Sequence, residues 1–414
     1  MRFILSVILT GVISLLAAQE QYAGKLSSVA LRDPDHLEVV IKGNNNFAFN
    51  LYQQLKSKKG NLFFSPYNIA EGFAMASVGA QITTATEFEK VFQYGVALAP
   101  LNGDLGEILS VTPPVNNKTA NELSIAANAW IQKGVSLTAF YQQSIKQNFN
   151  SNLEQVDFIH EPLNAVKVIN QWISTKTNGR ISQLITSSDV SSNTRLMLTT
   201  AIYMKGSWQH PFELKLTNKA TFHTNSKYSI SVEMMHASER FLYMSDPQVT
   251  MIELPYVYQS DKGAALAMQI LLPTSVDGLE KLESQFNMAN WNVWSKKLSM
   301  KKVNLAMPRF RDEEKIDLNH AMNKLGLVQA FTDKANFAGI TGEPDLHISK
   351  AIHKTFIRVD ERGTEAAAAT VIGMNTTSID VSEPIEMVVD HPFLFLIVDK
   401  KTNSIVFVGR ISQP

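Results

Sequence analysis

The sequence predicts a single α+β domain, and three kinds of observation predict it. Apolar residues recur at helical spacing between Leu37 and Leu55, at Val40, Phe47, Phe49, Leu51 and Leu55. Runs at 123–131, 196–212, 348–358 and 391–398 have the length, β-branching or alternation of strands. No interruption divides the 414 residues, although that length alone would suggest two or three domains. Hydrophobic residues make up 45%, enough for a large core. The 38 basic and 38 acidic residues balance, so charge gives no reason to expect nucleic acid or a general polyanion surface as partner. Cysteine is absent, which excludes disulfides, thiolate nucleophiles and thiolate metal sites.

Met1-Arg2, an apolar run from Phe3 to Leu16 and then Ala17-Ala18-Gln19-Glu20 have signal-peptide architecture. Residues 1–18 are therefore expected to be a leader, cut after Ala17 or Ala18, and the product secreted or, in a bacterium, periplasmic. Leucine three positions upstream fits the cleavage site imperfectly. A membrane anchor is the competing reading, but the run is short for a spanning helix. No later stretch could span a bilayer. Residues 19–38 read as a flexible lead-in, and 39–414 as the domain.

Within it, Asn61 to Ile69 reads as a short strand feeding a helix, with Pro66 at the helix start. Leu101 to Leu109 carries Asp104 and Glu107 and no basic cluster. Pro113-Pro114 breaks the chain. A helix from about Leu163 stops at Asn178-Gly179, a C-cap signal. Leu196 to Phe212 is a β-prone central strand with a Gly206-Ser207-Trp208 turn near its end.

The organising stretch is Val359 to Thr370, between the strand at 348–358 and the buried strand at 391–398. From Glu361 to Thr370 it has no large apolar residue, and Gly363 supplies a pivot. Two local readings remain open. Thr364 caps a helix propagated by Ala366, Ala367, Ala368 and Ala369. Alternatively the segment is a strand, with Thr364, Ala366, Ala368 and Thr370 on one uncharged face and Glu365, Ala367 and Ala369 on the other. A segment that is a loop in one state and an inserted strand in another is a switch.

Glu361-Arg-Gly-Thr-Glu-Ala-Ala-Ala-Ala-Thr370 resembles the reactive-loop hinge of the serpins, the serine-protease-inhibitor superfamily. The paired phenylalanines before Ser65-Pro66, the run Asn170-Gln-Trp172 to Ile181, and Lys205-Gly-Ser-Trp208 resemble serpin motifs in family order, as does Phe407-Val-Gly-Arg410. The resemblance covers roughly residues 40 to 414. It implies about nine helices packed around three β-sheets, with an exposed C-terminal reactive loop at about 361–384.

It also implies a mechanism. A target serine protease cuts the loop and forms an acyl-enzyme. The hinge (Glu361, Gly363 to Ala369) then inserts into the central sheet, and the protease is trapped in a covalent complex. A non-inhibitory carrier, storage protein or chaperone of the same family is the alternative. Family spacing from the hinge places the bait bond at Thr377-Ser378, while counting back from Pro392 lands nearer Val381. Met374 and Ile379 are alternative bait residues. No arginine or lysine lies between Gly363 and Lys400, so an elastase- or chymotrypsin-like target is expected rather than a trypsin-like one.

Asn117 and Asn375 begin glycosylation sequons. His353 resembles the buried histidine of the serpin shutter, and its other reading is a satisfied core histidine. The family's usual second serine after Ser-Pro is Asn68 here, and its usual asparagine in the central strand is Thr200. With Ser65 they make up the shutter, and Asn68, Thr200 and His353 are expected to form one hydrogen-bonded cluster. Trp208 is expected to cover the sheet where the loop enters. No catalytic residue, cofactor, metal or heparin site is expected, and the chain is expected to be a monomer.

Overall fold

A computed structural model describes residues 34–93, 122–149, 153–257, 265–364 and 383–414. Nine α-helices fall among the described residues. They are α1 (Pro34–Leu55), α2 (Pro66–Ser77), α3 (Ile82–Phe92), α4 (Ala139–Phe149), α5 (Pro162–Lys176), α6 (Leu279–Gln285), α7 (Met288–Lys297), α8 (Asn319–Leu325) and α9 (Ala338–Thr341). Proline opens α1, α2 and α5, where its missing N–H costs nothing. Helix α5 ends at Lys176, and Asn178 and Gly179 follow with φ of 50° and 75°.

One sheet runs β10 (Phe310–Asp317), β11 (Ile348–Asp360), β12 (Gly363–Thr364), β4 (Leu196–Ser207), β2 (Glu122–Gln132), β3 (Gln155–Val156). Its middle strand, β4, is apolar on both faces. Leu196, Leu198, Ile202 and Met204 join the main core, while Met197, Ala201 and Tyr203 join a smaller cluster with Ile169 and Ile173 of α5. Burial on both faces is why the strand reads as a continuous apolar run rather than an alternating one.

The second sheet is nine-stranded. Its path is β1 (Leu62–Phe64), β15 (Ser404–Ile411), β14 (Phe393–Asp399), β8 (Leu266–Pro273), β7 (Val249–Pro255), β6 (Ser229–Ser245), β9 (Ser299–Pro308) and β13 (Ile385–Val388), with β5 (Asn218–His223) also on β6. The described strands thus form two hydrogen-bonded sheets where three β-sheets are expected. The reason is β6, whose 17 residues pair with β9 over Met234–Tyr243 and with β7 over Leu242–Ser245. One long strand belongs to both halves and joins them. The expected strand at 196–212 stops at Ser207, and Trp208 makes only an isolated bridge to Tyr256.

Candidate functional site

The site is the seam between β11 and β4. These strands run parallel and pair from Ile348 with Leu196 to Phe356 with Tyr203. Above Phe356 they diverge, and β12 lies between them. Gly363 pairs with Asp360 and Ser207, and Thr364 with Val359 and Gly206, antiparallel on both sides. Of the two local readings, Gly363-Thr364 follows the strand. Gly363 has φ of 148°, and a Cβ there would lie 1.9 Å from the Gly206 carbonyl oxygen, so only glycine fits.

Side chains fix this entry point. Thr364 is fully buried, and its hydroxyl lies 2.7 Å from the Tyr256 hydroxyl. Tyr256 stacks on Trp208, with centroids 4.5 Å apart and planes 19° apart. Burial pushes the Tyr256 phenol well up, so it stays neutral. Trp208 donates its indole N–H to Asp360 O at 3.0 Å and its backbone N–H to Arg362 O at 2.9 Å. Glu361 is clamped by Arg309, whose Nε donates at 2.8 Å, and by the Thr217 hydroxyl at 2.5 Å. Burial alone would raise the Glu361 carboxyl, but those donors outweigh it and hold it below its usual range. Arg309, Thr217 and Tyr256 had no assigned role in the sequence reading. They are far from the hinge in sequence, and only the fold brings them to it.

Midway down the seam sits His353, fully buried. Its Nε2 accepts from the Ser65 backbone N–H at 3.0 Å, so the neutral ring carries its proton on Nδ1. Nδ1 therefore donates to Thr200 Oγ1, 2.9 Å away, and Thr200 donates on towards Ile352 O at 3.4 Å. Burial drives the His353 pKa down from 6.5 to about 3. Ser65 caps α2 by accepting from the Asn68 N–H at 3.1 Å and donates to Val406 O at 2.7 Å, tying helix, seam and second sheet together.

The expected cluster is corrected in one respect. Asn68 bonds neither Thr200 nor His353, because its amide reaches the other way, to Ala126 O on β2 at 3.2 Å. It connects to the histidine only through Ser65. The Thr200 methyl faces Gly72 of α2, where a Cβ would lie 2.3 Å from Thr200 Cγ2, so the helix rests directly on the seam.

Glu365 to Ala369, Met374, Asn375, Thr377, Ser378, Ile379, Asn117, the expected leader at 1–18 and the 101–109 segment lie outside the described residues. Among the described residues no group of His, Asp and Glu is arranged to hold a metal, and no helix is long and apolar enough to cross a membrane.

The fold and this junction define an α+β protein in which a two-residue hinge strand is wedged between two strands that otherwise pair directly. The family model described as serpin (serine protease inhibitor) matches residues 42–414, and the chain belongs to that family. It is 35% identical over 392 residues to human Serpin B3, covering 90% of this chain and 99% of that one. It is also 35% identical to mouse leukocyte elastase inhibitor A, over 91% of this chain and 100% of the relative. Among solved structures, uncleaved ovalbumin is similar at TM-score 0.81 and 29% identity, covering 91% of this chain and 100% of that one.

Proposed function

We propose that this chain inhibits a serine protease as a suicide substrate, and that the β11–β4 seam is where its cut loop inserts. The observation that carries the reading is β12, paired on both sides at the head of a parallel seam. Each further residue of an inserting strand would step one residue down both neighbours. Glu365 would then lie between Arg358 and Lys205, Ala366 between Ile357 and Met204, and Thr370 between His353 and Thr200. That register sends Ala366 and Ala368 towards the main core and Glu365 and Ala367 to the opposite face, in keeping with their sizes and charge.

Insertion exchanges one parallel ladder for two antiparallel ones, which adds backbone hydrogen bonds of the slightly more stable kind. That gain is available only when the loop is free at one end. A protease that has cut the loop and remains attached as an acyl-enzyme is carried along before water releases it. Small residues at the inward positions keep insertion ahead of hydrolysis, since a packed interior rejects added volume.

The bait bond is proposed at Thr377-Ser378, with Met374 or Ile379 as alternatives, and the target as elastase- or chymotrypsin-like. The elastase-inhibitor name of several relatives supports that class. Secretion through a leader at 1–18 is part of the proposal and rests on the N-terminal sequence. It is checked by mass spectrometry of the exported chain.

The test incubates the mature chain with elastase, chymotrypsin, subtilisin and trypsin. A denaturing gel then shows adducts, and the mass of the C-terminal fragment gives the cut. A gel-stable adduct with a fragment starting at Ser378 is expected. Cleavage by every enzyme without an adduct would refute inhibition and favour a carrier or storage protein.

A further inference from the structure

We propose that Asn68 and Glu71, one turn apart where α2 packs on β2, form a proton-operated latch on the seam. With Glu71 protonated, the Asn68 amide stays on β2. With Glu71 ionised, the amide is drawn away and the seam opens more readily.

The argument starts from two atoms that lack what buried atoms need. Asn68 Oδ1 and Glu71 Oε2 are both closed off from water, and neither has a hydrogen-bond partner. Native interiors leave few such groups, and each calls for a reason. Residues three apart on a helix are neighbours, so the two side chains share a face. Both atoms are acceptors while the carboxyl is ionised. The donor beside them, the Asn68 amide, is engaged by Ala126 O at 3.2 Å.

A proton on Glu71 resolves this. It gives the carboxyl an O–H to donate to Asn68 Oδ1, and it removes a charge that burial opposes. Part of Glu71 reaches the surface, so the proton exchanges with solvent. Burial raises the carboxyl from 4.5 to about 7, and the Asn68 amide is the one group that favours its charged form. No charge among the described residues acts on it. The other titratable groups bearing on this stretch are Tyr67 of the same helix, Tyr141, whose hydroxyl donates to Met75 O at 3.2 Å, and His353, reached through Ser65. Burial keeps the last two neutral around pH 7.

The start of α2 bridges the two sides of the seam. On one side the Ser65 N–H bonds His353 of β11. On the other the Asn68 amide bonds Ala126 of β2, which pairs with Ala201 of β4. An ionised carboxylate is a stronger acceptor than a peptide carbonyl. Ionisation therefore turns the amide towards Glu71 and removes one of the two ties. The consequence for inhibition rests on the insertion reading above: raising the pH through 7 shortens the life of the uncut, active form.

The test first titrates the intact chain, carbon-13 labelled at its glutamate carboxyls, by NMR. One carboxyl with a midpoint near pH 7, missing from Glu71→Gln, is expected. If the signal that Glu71→Gln lacks titrates below about pH 5.5, in the ordinary range, the latch is overturned. Hydrogen exchange of the seam amides, in 196–203 and 348–356, is then measured at pH 6 and pH 8. Each rate is divided by that of Glu71→Gln at the same pH, so the intrinsic pH dependence of exchange cancels. The ratio should rise about tenfold, as the ionised fraction does for a midpoint of about 7, and a flat ratio overturns the latch. In Asn68→Ala the carboxyl should titrate higher, because its one favourable contact is gone. Divided by the Asn68→Ala, Glu71→Gln double variant, its exchange should no longer rise; a tenfold rise there refutes the amide as the link. None of these readouts uses a protease or a cut loop. Failure of insertion shows instead as cleavage with neither an adduct nor a gain in thermal stability, and the exchange ratios still decide the latch.

Discussion

Replacing Thr200 by valine removes one oxygen from the seam and little else. Valine keeps the branched shape, so the contact with Gly72 survives. What disappears is the acceptor for His353 Nδ1–H at 2.9 Å, and with it the weaker bond to Ile352 O. A buried donor left without a partner costs about 1–3 kcal/mol. The cost falls on the closed state, because this bond crosses the two strands that part in the proposed insertion. The opening barrier drops by the same amount, so spontaneous latency or polymerisation should run about 5- to 150-fold faster. The assay follows loss of inhibitory activity, and oligomers on a native gel, during incubation a few degrees below the melting transition. Unchanged rates in a variant whose melting temperature has fallen would refute the latch, because Thr200 would then matter to the fold and not to the opening.

Thr364→Arg should convert inhibitor to substrate, since it places a charge where a buried hydroxyl now meets Tyr256. The readout is cleaved chain without adduct, and retained inhibition counts against insertion. Gly363→Ala should displace β12, given its φ of 148° and the Gly206 oxygen 1.9 Å from a new Cβ; faster proteolysis of the loop with lowered thermal stability would show it. His353 should make the fold acid-sensitive. The unfolded imidazole takes a proton as pH falls below 6.5, while the folded one holds out to about 3. Between those values this group removes about 1.4 kcal/mol of stability per pH unit. Denaturant unfolding of His353→Asn from pH 7 to pH 4 should show a shallower loss than the parent, and equal slopes would contradict the assignment.

The fold and the hinge were legible because their signals are local. Gly363 follows from backbone geometry, Ser65-Pro66 from helix capping, and the double-sided apolar run of β4 from a strand buried on both faces. What was not legible is long-range. Nothing near Glu361 announces that Arg309 and Thr217 will clamp it, and nothing near Thr364 announces Tyr256. Asn68 shows the limit well. Composition supplies a buried amide that needs partners, but the direction it turns depends on where β2 lies. The two hydrogen-bonded sheets in place of three have a similar origin, because a 17-residue strand serving both halves cannot be recognised before its partners are placed.

The chain's last strand has a consequence for what a cut molecule looks like. β15 lies between β1 and β14, at distances of some hundreds of residues along the sequence from its β1 partners, and its apolar residues are fully buried. A break anywhere in 365–382 therefore detaches nothing. The short C-terminal piece stays threaded through the middle of the larger one, and the two travel together as a single particle until a denaturant pulls them apart. A nicked molecule would pass through size-exclusion chromatography as if intact. Only its behaviour on a denaturing gel would reveal the cut.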